Sequence, residues 1–465
     1  MKSLYAKYEG RGKDSLLHRN LRLCTEEGVF ATPYVILSVP GNFFLATLIT
    51  QVLGVGEGAY GILVSLPAWF NALQVFYVPY MARYFSSRVL TIGTGVLNIL
   101  FWILLIFALP RIEQLGAESG ARWLFLFFVF ISVSQSVVGV TWMSWIQEWI
   151  PSRLRGKYFG RRNAIMGFAT VGFILLGGWI LDYFGATVFG FQILLGIVGL
   201  LRLMSLYLQS HIYTPWSGPE RVIHEGWWDR YASLGKHPMY FRYLVFAGFL
   251  AFWLSFLGPF VPVYLTEHLD VPMRMLATLM LVANIAAACT MPIWGRISDK
   301  HGCKVAIAWG ILLWMTSNYL WLAITPDNLW VLYALWIWGG FASGGVILGG
   351  FNLLLKMAPR EAKSAGISVH LMATSVCAAF APILAGLFLE HAHRFGLESF
   401  SIYRFYFVLQ PTAVLLSLLL LARVTEPTAD GMNSMIGALR TFRQIFIQNG
   451  LMVVANLTSI RNRKK

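Results

Sequence analysis

The sequence predicts an all-α polytopic membrane protein with twelve transmembrane helices in two six-helix bundles, on three observations. Hydrophobic residues fill 57% of the 465 positions and charged residues only 12%, far from the balance of a soluble domain. Uncharged runs of eighteen residues or more recur along the whole chain. Loop patterns of the first half return in the second, one of them at an offset of 208 residues.

The uncharged runs are 28–56, 58–82, 89–110, 123–147, 163–181, 183–201, 243–266, 275–295, 305–326, 328–355, 364–389 and 405–422. Each is long enough to cross about 30 Å of hydrocarbon as a helix, which satisfies its own backbone hydrogen bonds. Two runs of seventeen, 203–219 and 444–460, are polar or proline-containing and are not read as spans.

An even number of crossings puts both termini on one side, so the distribution of Lys and Arg tests the count. The termini and the loops after spans two, four, six, eight and ten hold thirty of the 36 basic residues. The opposite side has Arg111, Arg122, Arg274, Arg394 and Arg404, and Arg202 is placed at the inner interface by snorkelling. Both ends are therefore expected in the cytoplasm, in a bacterial inner membrane. The net charge of +15 follows from the same asymmetry and argues for anionic headgroups, with no nucleic-acid partner.

The domain boundaries follow: a cytoplasmic N-terminal segment 1–27, a first bundle 28–210, a central cytoplasmic loop 211–240, a second bundle 241–423 and a cytoplasmic tail 424–465. Residues 14–27 and 431–460 read as amphipathic pieces along the inner interface. Cys24, Cys289, Cys303 and Cys377 form no disulfide framework.

After span four comes "EWIPSRLRG", 148–156, and after span ten "KMAPREAKS", 356–364, with Pro359 in the place of Pro151 and Lys356 in the place of Glu148. After span two comes "VPYMARYFSSR", 78–88, and after span eight "MPIWGRISDKHGCK", 291–304, matching at the proline and at Arg83 and Arg296. Internal duplication of a six-helix unit is how several transporter folds are built.

The stretch "GRISDKHGCK", 295–304, resembles the G-x-x-x-D-R/K-x-G-x-R/K loop signature of the major facilitator superfamily. Glu148, Pro151, Arg155 and Gly156 resemble the E-x-x-P-x-x-x-R-G pattern of its sugar-porter branch, although that branch's stretch after span six is missing and 423–427 read "RVTEP". The resemblance covers the whole chain and implies the major facilitator fold, working by alternating access. It also implies a cytoplasmic gate in which Gly295, Arg296, Asp299, Lys300, Gly302 and Lys304 latch the inner ends of the bundles and Glu148, Pro151, Arg155 and Gly156 form a charged inner rim. Asp299 can cap a neighbouring helix N-terminus. The N-terminal copy of the signature is eroded at Ala82 and Ser86.

Substrate chemistry is sought at mid-depth, where a charge costs about 2.5–3.5 kcal/mol on the insertion scale. The mid-span residues are neutral: Asn42, Asn71, Gln74, Gln135, Thr170, Trp253, Asn284, Trp338 and Ser343. They suit a neutral, hydroxyl-rich or aromatic solute, and each competes with a purely structural interhelical bond. No cofactor and no metal are expected. Glu148, Asp182 and His370 are the nearest titratable groups for a coupling ion, H+ or Na+.

No phosphate-binding loop, HExxH or GxSxG stands at a usable place, so the chain is read as a monomeric carrier of a small solute among membrane lipids, not an enzyme. Efflux of hydrophobic compounds is the competing transport function. A sensor or lipid scramblase that transports nothing is the rival of another class.

Overall fold

The computed structural model describes residues 12–38, 41–214, 234–359, 363–394, 399–426 and 437, and no strand occurs among them. The α-helices are α1 (Gly12–Leu37), α2 (Phe43–Thr47), α3 (Glu57–Ala82), α4 (Ser87–Gln114), α5 (Gly116–Trp149), α6 (Ser152–Phe184) and α7 (Val188–Ser210), then α8 (Pro238–Leu257), α9 (Phe260–Glu267), α10 (Met273–His301), α11 (Cys303–Asn318), α12 (Trp330–Met357), α13 (Lys363–Arg394) and α14 (Ser399–Ala422). Among the described residues, eleven helical segments are long and apolar enough to cross a membrane. The end of α1 and the short apolar segment Phe43–Val52 supply the twelfth crossing.

Two predicted single helices are broken. The run 28–56 is divided between α1 and α2, and Asn42 starts the second piece with extended backbone, its side chain accepting the Leu45 N–H at 3.0 Å. That is an ordinary N-cap, satisfying a donor the helix cannot. A π turn, Leu48–Val52, follows. The run 243–266 is divided at Gly258 and Pro259, where proline has no N–H to continue the ladder and instead caps α9. By contrast Pro67, Pro79, Pro292, Pro382 and Pro411 stay inside unbroken helices.

Residues 14–27 also differ from expectation. They belong to α1, which enters the bundle without a break and buries Asn20, Cys24 and Glu27. Asn20 exchanges two hydrogen bonds with the Tyr213 backbone, 2.6 Å to its carbonyl and 3.1 Å from its N–H. Of the tail piece 431–460 only Gly437 is among the described residues, and Trp216, Trp227 and Trp228 lie outside them.

The chain forms two compact units, Met1–Glu225 with Ala251–Leu281 and Leu371–Tyr403, and Gly226–Leu250 with Val282–His370 and Arg404–Lys465. In the first, α1 packs on α6 and α7, α3 on α5, and α4 on both α5 and α7. A core of Cys24, Trp145, Ile146, Ile150 and Ile212 closes one end of it. In the second, α11 packs on α12 around Trp294, whose indole N–H donates to the Phe341 carbonyl at 2.6 Å. The run "GGFASGGVILGG", 339–350, allows this contact: a side chain on Gly340 would strike the Ala283 backbone, and one on Gly345 the Trp294 ring.

Candidate functional site

The first unit bears an open cavity of about 690 Å³ at the two helix breaks. Gly41 and Asn42 from the break before α2, Asn71 from α3, Ser255 from the end of α8, and Thr374 and Ser375 from α13 supply its polar edge. None of the described lining residues is charged or aromatic. Asn42 is engaged as the cap of α2, and the Thr374 hydroxyl donates to the Leu371 carbonyl at 3.2 Å. The Asn71 amide and the Ser255 and Ser375 hydroxyls are the polar groups with most capacity left for a solute.

Close backbone crossings seal this unit at the end where α3 begins and α13 finishes. A Cβ on Gly61 would collide with the Pro382 carbonyl, and one on Gly386 with the Glu57 carbonyl, so α3 and α13 touch backbone to backbone. A Cβ on Gly178 of α6 would meet Ala277 of α10 at 3.0 Å. The same two helices carry the Asp182–Arg274 pair, 3.9 Å and largely exposed, which contributes little by itself. Gly41 packs on the Pro259 ring, and the Tyr60 hydroxyl donates to the Pro259 carbonyl at 3.0 Å. The cavity begins one turn further along α3, at Val64 and Pro67.

Charge is buried inside the first unit, just beyond the ends of the uncharged runs. Glu27 of α1 is 1% exposed and Arg162 of α6 7%, with 3.1 Å between them. The Glu27 carboxylate also accepts from Trp142 Nε1 at 3.2 Å, Gln209 Nε2 at 2.9 Å and Ser205 Oγ at 3.3 Å. Arg162 lies over the Trp142 ring and donates to the Cys24 carbonyl at 3.1 Å. Gly28 leaves it room, because a side chain there would strike the guanidinium.

Arg202 does not snorkel. It is 4% exposed, 5.0 Å from the Tyr34 ring centre, and donates to Ser205 Oγ at 3.1 Å. The Tyr34 hydroxyl sits against Asn98 Oδ1 and 2.8 Å from Gln135. The hydroxyl faces both the Asn98 and the Gln135 amide oxygens, and its single proton serves one of them at a time.

The predicted solute residues are thus dispersed. Asn42 and Asn71 line the cavity. Gln74 stands one turn beyond Asn71, Thr170 lies in α6, and Trp253 packs on Phe252 and Phe256. In the second unit Asn284 is on α10, Ser343 bonds to its own helix at Gly340, and Trp338 donates to the Leu313 carbonyl at 2.9 Å. Ser255, Thr374 and Ser375 were not among the predicted residues, because intrahelical hydroxyls are common in spans and leave no sequence signal.

At the predicted gate, Glu148 is exposed at the end of α5 and Pro151 caps α6, while the Arg155 and Gly156 side-chain positions lie outside the described residues. Gly295, Arg296, Asp299 and Lys300 occupy the last turns of α10, the last three exposed. Gly302 has φ 99°, a conformation that favours glycine, and turns the chain into α11. The capping carboxylate there is Glu426, 4% exposed, which accepts from Cys303 N at 3.0 Å, Lys304 N at 2.9 Å and Lys356 Nζ at 2.7 Å.

Burial alone would raise the Glu426 carboxyl, but the Lys304 and Cys303 N–H groups and the Lys356 ammonium hold it below its ordinary value. Lys304 Nζ in turn donates to the Val424 carbonyl at 2.6 Å and the Ala422 carbonyl at 3.3 Å. The first repeat uses other residues for the same joint: Ser86 caps α4, and Arg88 donates to the Ser210 carbonyl at 2.7 Å. His370 stacks on Tyr243 with ring centres 5.3 Å apart.

This fold and its cavity define a multi-pass membrane transport protein. The sequence pattern of the Major Facilitator Superfamily matches residues 34–268 and again 244–460. The chain therefore belongs to that superfamily. It is 30% identical over 149 residues, 32% of its length, to a homolog of the multi-drug resistance efflux pump PmrA from Lactococcus lactis. It is 28% identical over 144 residues, 30% of its length, to PmrA of Streptococcus pneumoniae. The chain covers 34% of each of these curated relatives, about a third of their length.

Among solved structures, a D323A mutant of the nucleoside transporter NupG superposes with a TM-score of 0.67 over 88% of this chain and 100% of that one, at 12% identity. A bacterial homolog of the human lysosomal transporter Spinster, in an inward-facing and unoccupied conformation, gives 0.62 over 94% and 98%, at 16% identity. These likenesses concern the fold.

Proposed function

We propose that the protein carries a small, neutral, hydroxyl-bearing solute, of sugar-like or similar chemistry, by alternating access in a bacterial inner membrane with both termini cytoplasmic. The observation that carries this reading is the cavity at the helix breaks, whose described lining offers amide and hydroxyl groups and no charge. A charged solute needs a buried counter-charge, whereas a neutral polyhydroxy solute needs only donors and acceptors in the arrangement Asn71, Ser255 and Ser375 provide. The backbone crossings at one end of the first unit suit a gate that must open and close. The thirty-to-five asymmetry of Lys and Arg supports the orientation.

Glu148, Asp182 and His370 remain the coupling candidates, and none of them lines the cavity. Transport through it is accordingly facilitative, or coupled to an ion bound elsewhere. The relatives named as multi-drug pumps favour a second reading, export of hydrophobic compounds. The absence of aromatic residues from the described lining weighs against it, because sites for such compounds rely on aromatic walls. Uptake by proteoliposomes of labelled hexoses, pentitols, nucleosides and a lipophilic cation distinguishes the two: saturable uptake of a neutral member supports the proposal, and transport of the cation alone overturns it.

A further inference from the structure

The geometry points to a selective phospholipid site on the outside of the first unit, in a groove of about 510 Å³ between α3 and α5, and to phosphatidylethanolamine as its occupant. The floor is apolar, formed by Ala59 and Ile62 of α3 and by Phe125 and Leu126 of α5. Ile62, Phe125 and Leu126 are 36%, 39% and 49% exposed, on segments that cross the membrane, so the groove is open to lipid tails. At its rim stand Glu118 and Arg122, one turn apart on α5 and 2.6 Å from each other.

The rim decides the headgroup. A carboxylate beside a guanidinium at the boundary of an apolar groove is complementary to a zwitterion, with Arg122 facing the phosphate and Glu118 the ammonium. Ethanolamine carries N–H donors for the carboxylate, whereas the trimethylammonium of phosphatidylcholine has none and phosphatidylglycerol has no cation. The Glu118–Arg122 pair is 87% and 74% exposed, and exposed pairs of this kind are weak enough for a headgroup to open them.

The site also has a place in the fold. The first turns of α3 present Gly58 and Gly61 to α13 and Ala59 and Ile62 to the groove. A seated lipid tail therefore backs the helix segment that makes the seal, and favours the state in which the seal is made.

The test is titration of the purified full chain in detergent with dioleoyl phosphatidylethanolamine, phosphatidylcholine and phosphatidylglycerol, read by native mass spectrometry. Phosphatidylethanolamine is expected to bind about fivefold tighter than the other two, the factor of roughly one ordinary hydrogen bond at an exposed rim. Glu118→Gln is expected to erase that preference and Glu118→Asp to retain it, while Arg122→Gln weakens all three lipids through their shared phosphate and Ile62→Trp weakens all three by filling the groove. Equal affinities for the three lipids, or a preference that survives Glu118→Gln, would overturn the proposal.

Discussion

Glu27 of α1 and Arg162 of α6 form an ion pair 3.1 Å long with neither side chain more than 7% exposed. Three further donors converge on the same carboxylate. Such a pair ties four helices into one body, but removing one partner leaves the other charged and unanswered. Glu27→Ala is therefore predicted to destabilise the folded protein by about 3–5 kcal/mol, seen as a large drop in thermal midpoint in detergent. A midpoint within a degree or so of the wild type would show that the pair is not what holds these helices.

At the sealed end the contact of α3 with α13 leaves no space for a side chain at Gly61. Gly61→Leu is predicted to keep that end open, abolishing transport while the protein still inserts. A cysteine placed at Ser255, with Cys289 and Cys377 replaced, should then react faster with a membrane-impermeant maleimide added from that side. An unchanged labelling rate would argue that the crossing is not a gate.

The joint around Glu426 gives a pH dependence with a definite sign. Its carboxyl is held below the ordinary value in the folded protein, so the unfolded chain binds its proton first as pH falls. The stabilisation is complete above the unfolded carboxylate value of about 4.3 and is lost as pH drops through the lower folded value. Thermal midpoints are predicted to fall on acidification below that value, and Glu426→Gln to lower the midpoint at pH 7 and flatten the acid limb. An acid limb as steep in Glu426→Gln as in the wild type would assign it to other groups.

Much of the architecture was legible in the sequence, because hydrocarbon thickness and backbone hydrogen bonding restrict a membrane chain to long uncharged helices. Twelve runs and the repeated loops around Pro151 and Pro359 sufficed for the fold. The breaks at Asn42 and Gly258 were less visible, since a proline in a span bends it in some places and merely sits inside it at others, as at Pro67 and Pro382. The charges of Glu27, Arg162 and Arg202 stand beside uncharged runs and read as interfacial. Only the tertiary packing of α1, α6 and α7 shows that they face one another. Asn42 and Asn71 meet at one cavity because α2 and α3, neighbours in the chain, both border it, and the distant helices α8 and α13 bring in Ser255 and Ser375, which nothing in a single sequence marks.

Asn71 is the cavity amide predicted to matter most to the solute. Asn71→Ala is expected to raise the KM for the transported solute about tenfold, the loss of one or two hydrogen bonds, with protein level and thermal midpoint unchanged. A reduced kcat with unaltered KM would place the residue in the conformational cycle instead.

The most direct test of the account is equilibrium binding of labelled neutral solutes to the purified protein, compared between the wild type and the double variant Asn71→Ala, Ser375→Ala. The account predicts saturable binding of a sugar, polyol or nucleoside that the double variant loses. Binding only of lipophilic or charged compounds, undiminished in that variant, would contradict it.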